Sequence, residues 1–222
     1  MNYTEILEKQ KKYIAQKDFM PGMTVDSFDK AFEIEYTHNS TAIEGNTLTL
    51  IETKVVLEDG ISIGGKSLRE IYEVINHKKA FDYVKECVKE GLSLNEEVVI
   101  SGASHVPPVA NDMYVQIKSF FADLPEKKDM NFIQLAAWTH AEFVRIHPFQ
   151  DGNGRTARLI MNYQLMRGGF LPISIAKEDR LEYYNTLDSY ASKGELEAFV
   201  QLIAKLEETQ LDRYLSLVQS QE

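Results

Sequence analysis

Residues 147–158 read His-Pro-Phe-Gln-Asp-Gly-Asn-Gly-Arg-Thr-Ala-Arg. An imidazole, a carboxylate, a glycine-flanked asparagine and two guanidinium groups thus fall within one loop and one helical turn, a density that suits the handling of phosphates. Gly152-Asn153-Gly154 lets the backbone bend just ahead of an apolar run, Leu159, Ile160, Met161, Tyr163 and Leu165, that reads as helix. Amide N–H groups at such a bend point into one concavity and attract an anion. Arg155 and Arg158 sit three apart, so a helix beginning near Asn153 would let both reach the same polyphosphate. Asp151 is a hard oxygen donor beside that nest. Magnesium keeps several waters and takes only one or two protein carboxylates plus phosphate oxygens, so a single aspartate is sufficient. His147, with an ordinary pKa of about 6.5, can accept the proton of an attacking hydroxyl. The chemistry expected is transfer of a phosphorus group to an alcohol.

A lone His-Pro turn or Gly-Asn-Gly would more often be a helix-capping loop; the conjunction is what argues for a site. The elements that must position it are mostly helical. Amphipathic helices are expected over residues 3–17 and from Val25 to Ile43. Thr49 to Glu52 and Ser67 to Glu70 each have the Thr/Ser-x-x-Glu form of a capping box. The first opens a short helix ending near Gly60. The second opens a long one whose stripe of Ile71, Val74, Ile75, Phe81, Val84 and Val88 reads as core. Asn111 or Asp112 caps a helix to about Leu124. Phe132 to Val144 marks a helix leading into residues 147–158, with His140 on its inner face as a hydrogen-bonded core histidine. Gly168-Gly169 ends the following helix, and two more are expected at about 178–192 and 195–218. The one strand-like run is Val98-Val99-Ile100.

The chain has 222 residues, 44% hydrophobic and 26% charged, with a net charge of −10. That size fits a single domain with a sizeable core. The acidic balance argues against nucleic-acid or anionic-membrane partners, which need clustered Lys and Arg, and no basic recognition helix is present. The only cysteine, Cys87, excludes an intrachain disulfide and fits a reducing compartment. The N-terminal residues lack the apolar stretch of a secretory signal and no run approaches a membrane span, which gives a cytoplasmic expectation.

Residues 147–158 match, at every defining position, the Fic family pattern of His, any, Phe, any, Asp or Glu, Gly-Asn-Gly-Arg, any two, Arg. The resemblance extends from about Tyr36 to Leu206 through STAIEGNTLTL, SGASHVPP and LEYYNTL. It implies an all-α, mainly helical Fic fold: a compact bundle around a central motif helix, with at most a small β-hairpin flap. It further implies a nucleotidyltransferase moving AMP from Mg-ATP onto a Tyr, Thr or Ser hydroxyl of a target protein or of itself, releasing pyrophosphate. On this resemblance His147 is the general base, Phe149 an apolar peg holding the loop in the core and Asp151 the magnesium ligand. Gly152, Asn153 and Gly154 form the anion hole, Arg155 meets the β-phosphate and Arg158 the γ-phosphate. Tyr183, Tyr184 and Leu187 resemble the stretch lining the adenine pocket, although periodicity alone makes them core.

Ser40-Thr41-Ala42-Ile43-Glu44-Gly45-Asn46 resembles the family's inhibitory helix, here preceding the motif. Read without the family, Ser40 and Glu44 lie four apart on a helix ended by Gly45, and a solvated last turn is the plain alternative. In the inhibitory role Glu44, with Ser40 beside it, would form a bidentate pair with Arg158 and take the fork that the γ-phosphate needs. The chain is then one Fic domain over 1–222, with an inhibitory helix region at 25–46, a flap-like region at 95–110 and the motif at 147–158. Against the family that flap is shortened, because Leu94 to Glu97 runs straight into Val98, and the strand that clamps an extended target segment is affected. Two alternatives follow: a de-AMPylase in which Glu44 orients a water, and a nucleotide-binding module with lost target docking. The target protein and the oligomeric state, a homo-oligomer included, are left open.

Overall fold

The computed structural model describes residues 3–92 and 111–219, with side chains 111–114 and 219 excepted. The shortened flap, the strand-like run at 98–100 and SGASHVPP all lie outside the described residues. Within them the fold is helical throughout: α1 (Tyr3–Gln16), α2 (Gly22–Ile43), α3 (Leu50–Asp59), α4 (Leu68–Glu90), α5 (Asn111–Asp123), α6 (Phe132–Ile146), α7 (Asn153–Arg167), α8 (Arg180–Lys193) and α9 (Glu197–Gln219).

Local signals set most boundaries. Thr49, Ser67 and Asn131 each close a reciprocal capping box, with Glu52, Glu70 and Gln134 respectively. Such caps satisfy amides that a helix start leaves without partners and contribute about 1 kcal/mol each. Glycines in left-handed conformation, Gly60, Gly91 and Gly194, end α3, α4 and α8.

The middle of the bundle is α7, packed against α6 along its length and against α4 and α2 on other sides. Residues Ala157 to Leu165 are buried without a break, the all-round burial of a helix with protein on every side. Polar residues there must find partners inside, and Asn162 does so by bonding both the N–H and C=O of Ile173 at 2.9 and 3.0 Å. One apolar cluster joins α1, α6, α8 and α9 around Ile133, Met161, Leu165, Tyr183 and Phe199. A second joins α2, α4, α5 and α6 to the outer side of α7 around Tyr36, Phe81, Trp138 and Ile160. The motif loop between α6 and α7 therefore hangs from two core helices, which is how a loop gains the rigidity a site requires.

The turn after α7 is tight. A Cβ on Gly168 would lie 2.4 Å from Cγ and 2.6 Å from Cβ of Phe132, at the start of α6. The Gly168 carbonyl also accepts a 2.6 Å hydrogen bond from Gln10. Gly168→Ala is expected to destabilise by about 1–3 kcal/mol, since the obstructing atoms sit near the Phe132 backbone and cannot swing away. Thermal unfolding should show a midpoint lower by roughly 2–10 °C; an unchanged midpoint would refute the packing argument.

Candidate active site

The site assembles where the end of α2, the start of α4 and the α6–α7 loop meet. His147 closes α6 in a left-handed conformation, φ 54° and ψ 57°. It is the only non-glycine residue with positive φ among the described residues. Such a conformation costs about 1 kcal/mol or more and is retained where the surroundings impose it. His147 is exposed at this turn.

The loop is fixed from inside by Asn153. Its amide donates to the Phe149 carbonyl at 2.6 Å and accepts from the Phe149 N–H at 2.9 Å. One amide N–H and the carbonyl oxygen of the side chain are thus engaged by the loop, and the backbone N–H of Asn153 stands at the start of α7. Phe149 itself departs from expectation. It leans on Phe143 with ring centroids 6.0 Å apart, yet remains 37% exposed, so it is propped on the end of α6 and does not fill the core.

Helix α7 begins at Asn153 behind Gly152 in left-handed conformation, φ 88°. Thr156 is the first residue whose N–H returns to a loop carbonyl, that of Gly152 at 2.9 Å; the amides before it belong to an open helix start, with its partial positive charge. Both guanidinium groups lie against the glycines of this turn. A Cβ on Gly152 would be 3.8 Å from Arg155 Nη2, and one on Gly154 would be 3.1 Å from Arg158 Nη1.

Arg158 is 1% exposed, and its charge is distributed over several acceptors. Nε donates to Ser40 Oγ at 3.0 Å and Nη1 to Tyr183 Oη at 3.2 Å. Nη2 donates both to the Ser40 carbonyl at 2.7 Å and to Glu44 Oε1 at 2.8 Å. The expected bidentate fork with Glu44 is therefore not formed. Ser40 and Tyr183 hold the other nitrogens, and Glu44 takes one corner. Glu44 is the C-cap of α2, where a carboxylate meets the negative end of the helix dipole; the arginine offsets that repulsion while binding a helix-end carbonyl. The Glu44 carboxylate also overlies Gly154, since its Oε1 would be 2.3 Å from a Cβ there.

Arg155 turns the other way. Nη2 bonds Asp151 Oδ1 at 3.0 Å and Nη1 lies 3.3 Å from Glu73 of α4. Asp151 is two-thirds exposed and also pairs with Arg69 of α4 at 3.2 Å. Partial burial pushes its carboxyl upward, but the Arg155 guanidinium, the Gly152 amide and Arg69 hold it below its usual value. It is ionised and accessible, as a magnesium ligand must be. Among the described residues no three His, Cys, Asp or Glu side chains gather to hold a metal by themselves.

Tyr183 and Leu187 are buried, while Tyr184 is 38% exposed beside Arg180. Tyr183 reaches the site through its hydroxyl, which links Arg158 to His140 Nε2 at 3.1 Å. His140 is the core histidine expected from its place on α6. Arg69, Glu73 and His77 were not legible in the sequence; all three lie on α4, between 70 and 78 residues before His147, with ordinary helical spacing and no local signal.

His77 and His140 are both buried close to this positive charge. Burial first, then Arg158 and Arg155, pushes His77 down to about 3. Burial and Arg158 push His140 well down too. Each ring is neutral when folded but can take a proton near pH 6.5 when unfolded, so stability falls as pH drops below about 6.5. Glu207, whose carboxyl burial pushes well up against the lowering effect of the Leu171 amide, acts in the opposite sense. Urea unfolding at about pH 7.5 and pH 5 should show the loss, with a shallower loss in His140→Gln; identical slopes in both proteins would contradict it.

Residues 67–165 match the model of the Fic/DOC family. A "Protein adenylyltransferase Fic" of Nematostella vectensis is 34% identical over 208 residues, covering 82% of this chain and 48% of the relative. One from Aedes aegypti is 34% identical over 219 residues, covering 87% and 44%. The chain thus spans under half the length of these curated relatives. Among solved structures, Fic-1 from C. elegans (aa134–508) superposes with a TM-score of 0.80 at 28% identity, covering 96% of this chain and 70% of that one. A Fic domain containing signaling protein from Bacteroides thetaiotaomicron gives 0.79 at 25% identity, covering 96% and 94%.

Proposed function

The chain carries a Fic/DOC-family domain, and from that premise we propose that it is an autoinhibited protein adenylyltransferase, moving AMP from Mg-ATP to a Tyr, Thr or Ser hydroxyl of a target protein or of itself. The observation that carries the autoinhibited part is the 2.8 Å pair between Glu44 and the buried Arg158, with the carboxylate lying over Gly154.

In this reading the α7 start, from Gly152 to Arg155, receives the α- and β-phosphates, and Arg158 receives the γ-phosphate once Glu44 has withdrawn. The target hydroxyl oxygen attacks the α-phosphorus while His147 takes its proton. The bond from the α-phosphorus to the bridging oxygen breaks, and pyrophosphate leaves with that electron pair. Asp151 would hold magnesium, which supplies charge neutralisation on the phosphates and a fixed orientation for them. Of the stretch assigned to adenine, Tyr184 is exposed while Tyr183 and Leu187 are buried. A protein target, ATP and a cytoplasmic setting belong to the same reading. The lone cysteine, Cys87, is buried and free, and no helix among the described residues is long and apolar enough to cross a membrane.

ATP labelled at the α-phosphate or at the γ-phosphate tests the reaction class. The α-label should stay on protein and the γ-label should not; retention of the γ-label would make the protein a phosphoryl transferase and sink the proposal. One observation favours a second direction on the same site. Glu44 stands over Gly154, where it could orient a water towards an AMP-modified side chain, and Glu44-dependent release of AMP from such a target would support removal.

A further inference from the structure

Arg155 has two carboxylate partners, and they differ in kind. Asp151 belongs to the motif loop and is two-thirds exposed. Glu73 belongs to α4, its side chain is four-fifths buried, and it is held on its far side. Its Oε2 accepts from Asn46 Nδ2 at 3.0 Å, and its Oε1 lies 3.4 Å from Arg69 Nε as well as 3.3 Å from Arg155 Nη1. Asn46 is fixed in turn by the Glu70 carbonyl and the Leu48 N–H, each at 3.0 Å.

We propose that Glu73 is a positioning residue that keeps the Arg155 guanidinium aimed at the phosphates when Asp151 leaves it for the metal. This rests on the phosphate role assigned to Arg155 above. A carboxylate oxygen bound to a divalent cation is a poor partner for a guanidinium, so metal binding by Asp151 weakens both the 3.0 Å contact to Arg155 and the 3.2 Å contact to Arg69. A flexible arginine released in this way would give up its phosphate geometry to rotamer freedom. Glu73, anchored by Asn46 and engaging Nη1 only, leaves the other edge of the guanidinium free for phosphate oxygens. It would thereby orient a phosphate-binding group without touching the nucleotide, as outer partners orient metal ligands.

The consequence is a metal-dependent defect. Without magnesium, Asp151 still holds Arg155, and losing the charge of Glu73 costs little; with magnesium, Arg155 loses both partners. Calorimetric ATP binding is measured for Glu44→Gly and for Glu44→Gly/Glu73→Gln, each with magnesium and with EDTA. The expected Kd rises about tenfold in the glutamine variant with magnesium, and stays within about twofold in EDTA. Glu73→Asp, which keeps the charge at shorter reach, should fall between. Equal weakening in both conditions, as a merely structural role would give, overturns the proposal. So does no weakening in either, and thermal midpoints confirm that each variant is folded.

Arg155→Ala separates the failure modes. If it weakens Mg-ATP binding and Glu73→Gln adds nothing in its presence, the link through Arg155 stands. If the two effects multiply, Glu73 acts elsewhere and this proposal falls while the site assignment survives. If Arg155→Ala has no effect on Mg-ATP, the phosphate role of Arg155 falls, and Glu73 with it.

Discussion

Replacing Glu44 with glycine is expected to raise the initial rate of AMP incorporation by about a hundredfold. The carboxylate occupies one corner of the Arg158 guanidinium at 2.8 Å and stands over Gly154, so a nucleotide with its γ-phosphate in place must displace it. A preference of about 3 kcal/mol for the closed arrangement leaves under 1% of molecules open. A charge-assisted hydrogen bond from a fully buried arginine to a carboxylate about one-third exposed falls in that range. The variant should fold, because Arg158 keeps Ser40 Oγ, the Ser40 carbonyl and the Tyr183 hydroxyl as acceptors. Its counter-charge is lost, which lowers stability by up to several kcal/mol, but none of its three nitrogens is left without an acceptor. Equal rates for the two proteins with labelled ATP and magnesium would remove the inhibitory role.

His147 carries the second large effect. In the Glu44→Gly background, His147→Ala should lower incorporation by about 100-fold to 10,000-fold, the range lost with a general base, while Mg-ATP affinity stays within about twofold. Alanine is disfavoured at the observed φ of 54°, so a local backbone change could be mistaken for lost chemistry. Asparagine tolerates that conformation and cannot act as a base near neutral pH. His147→Asn should therefore be as inactive as His147→Ala, with near wild-type thermal stability. A protein that only binds nucleotide would show no change in label transfer with either variant.

The sequence made the bundle legible because its signals were local. Capping boxes at Thr49 and Ser67, the left-handed Gly60 and the glycine pair after α7 mark helix ends through chemistry confined to a few residues. Continuous burial of α7 could be anticipated from the apolar run after Asn153. The motif was legible for the same reason, its groups being neighbours in the chain. Partnerships across helices were a different matter. Glu44 was matched to Arg158 through a family pattern, yet the geometry of that contact depends on Ser40 and Tyr183 already filling the guanidinium, which no spacing rule reports. Asn153 as a clamp on Phe149 follows from loop closure in three dimensions. Arg69, Glu73 and His77 looked like ordinary positions of an amphipathic helix until α4 was seen against α7.

Competition for Arg158 is the central claim, and the affinity conferred by the γ-phosphate measures it directly. Calorimetric Kd values for ADP and ATP, with magnesium, should be nearly equal in the unmodified protein, where Glu44 holds the guanidinium. In Glu44→Gly the terminal phosphate reaches Arg158, and ATP should bind about tenfold or more tightly than ADP. If the ADP-to-ATP ratio is the same in both proteins, Glu44 does not compete with that phosphate, and the inhibitory account is wrong.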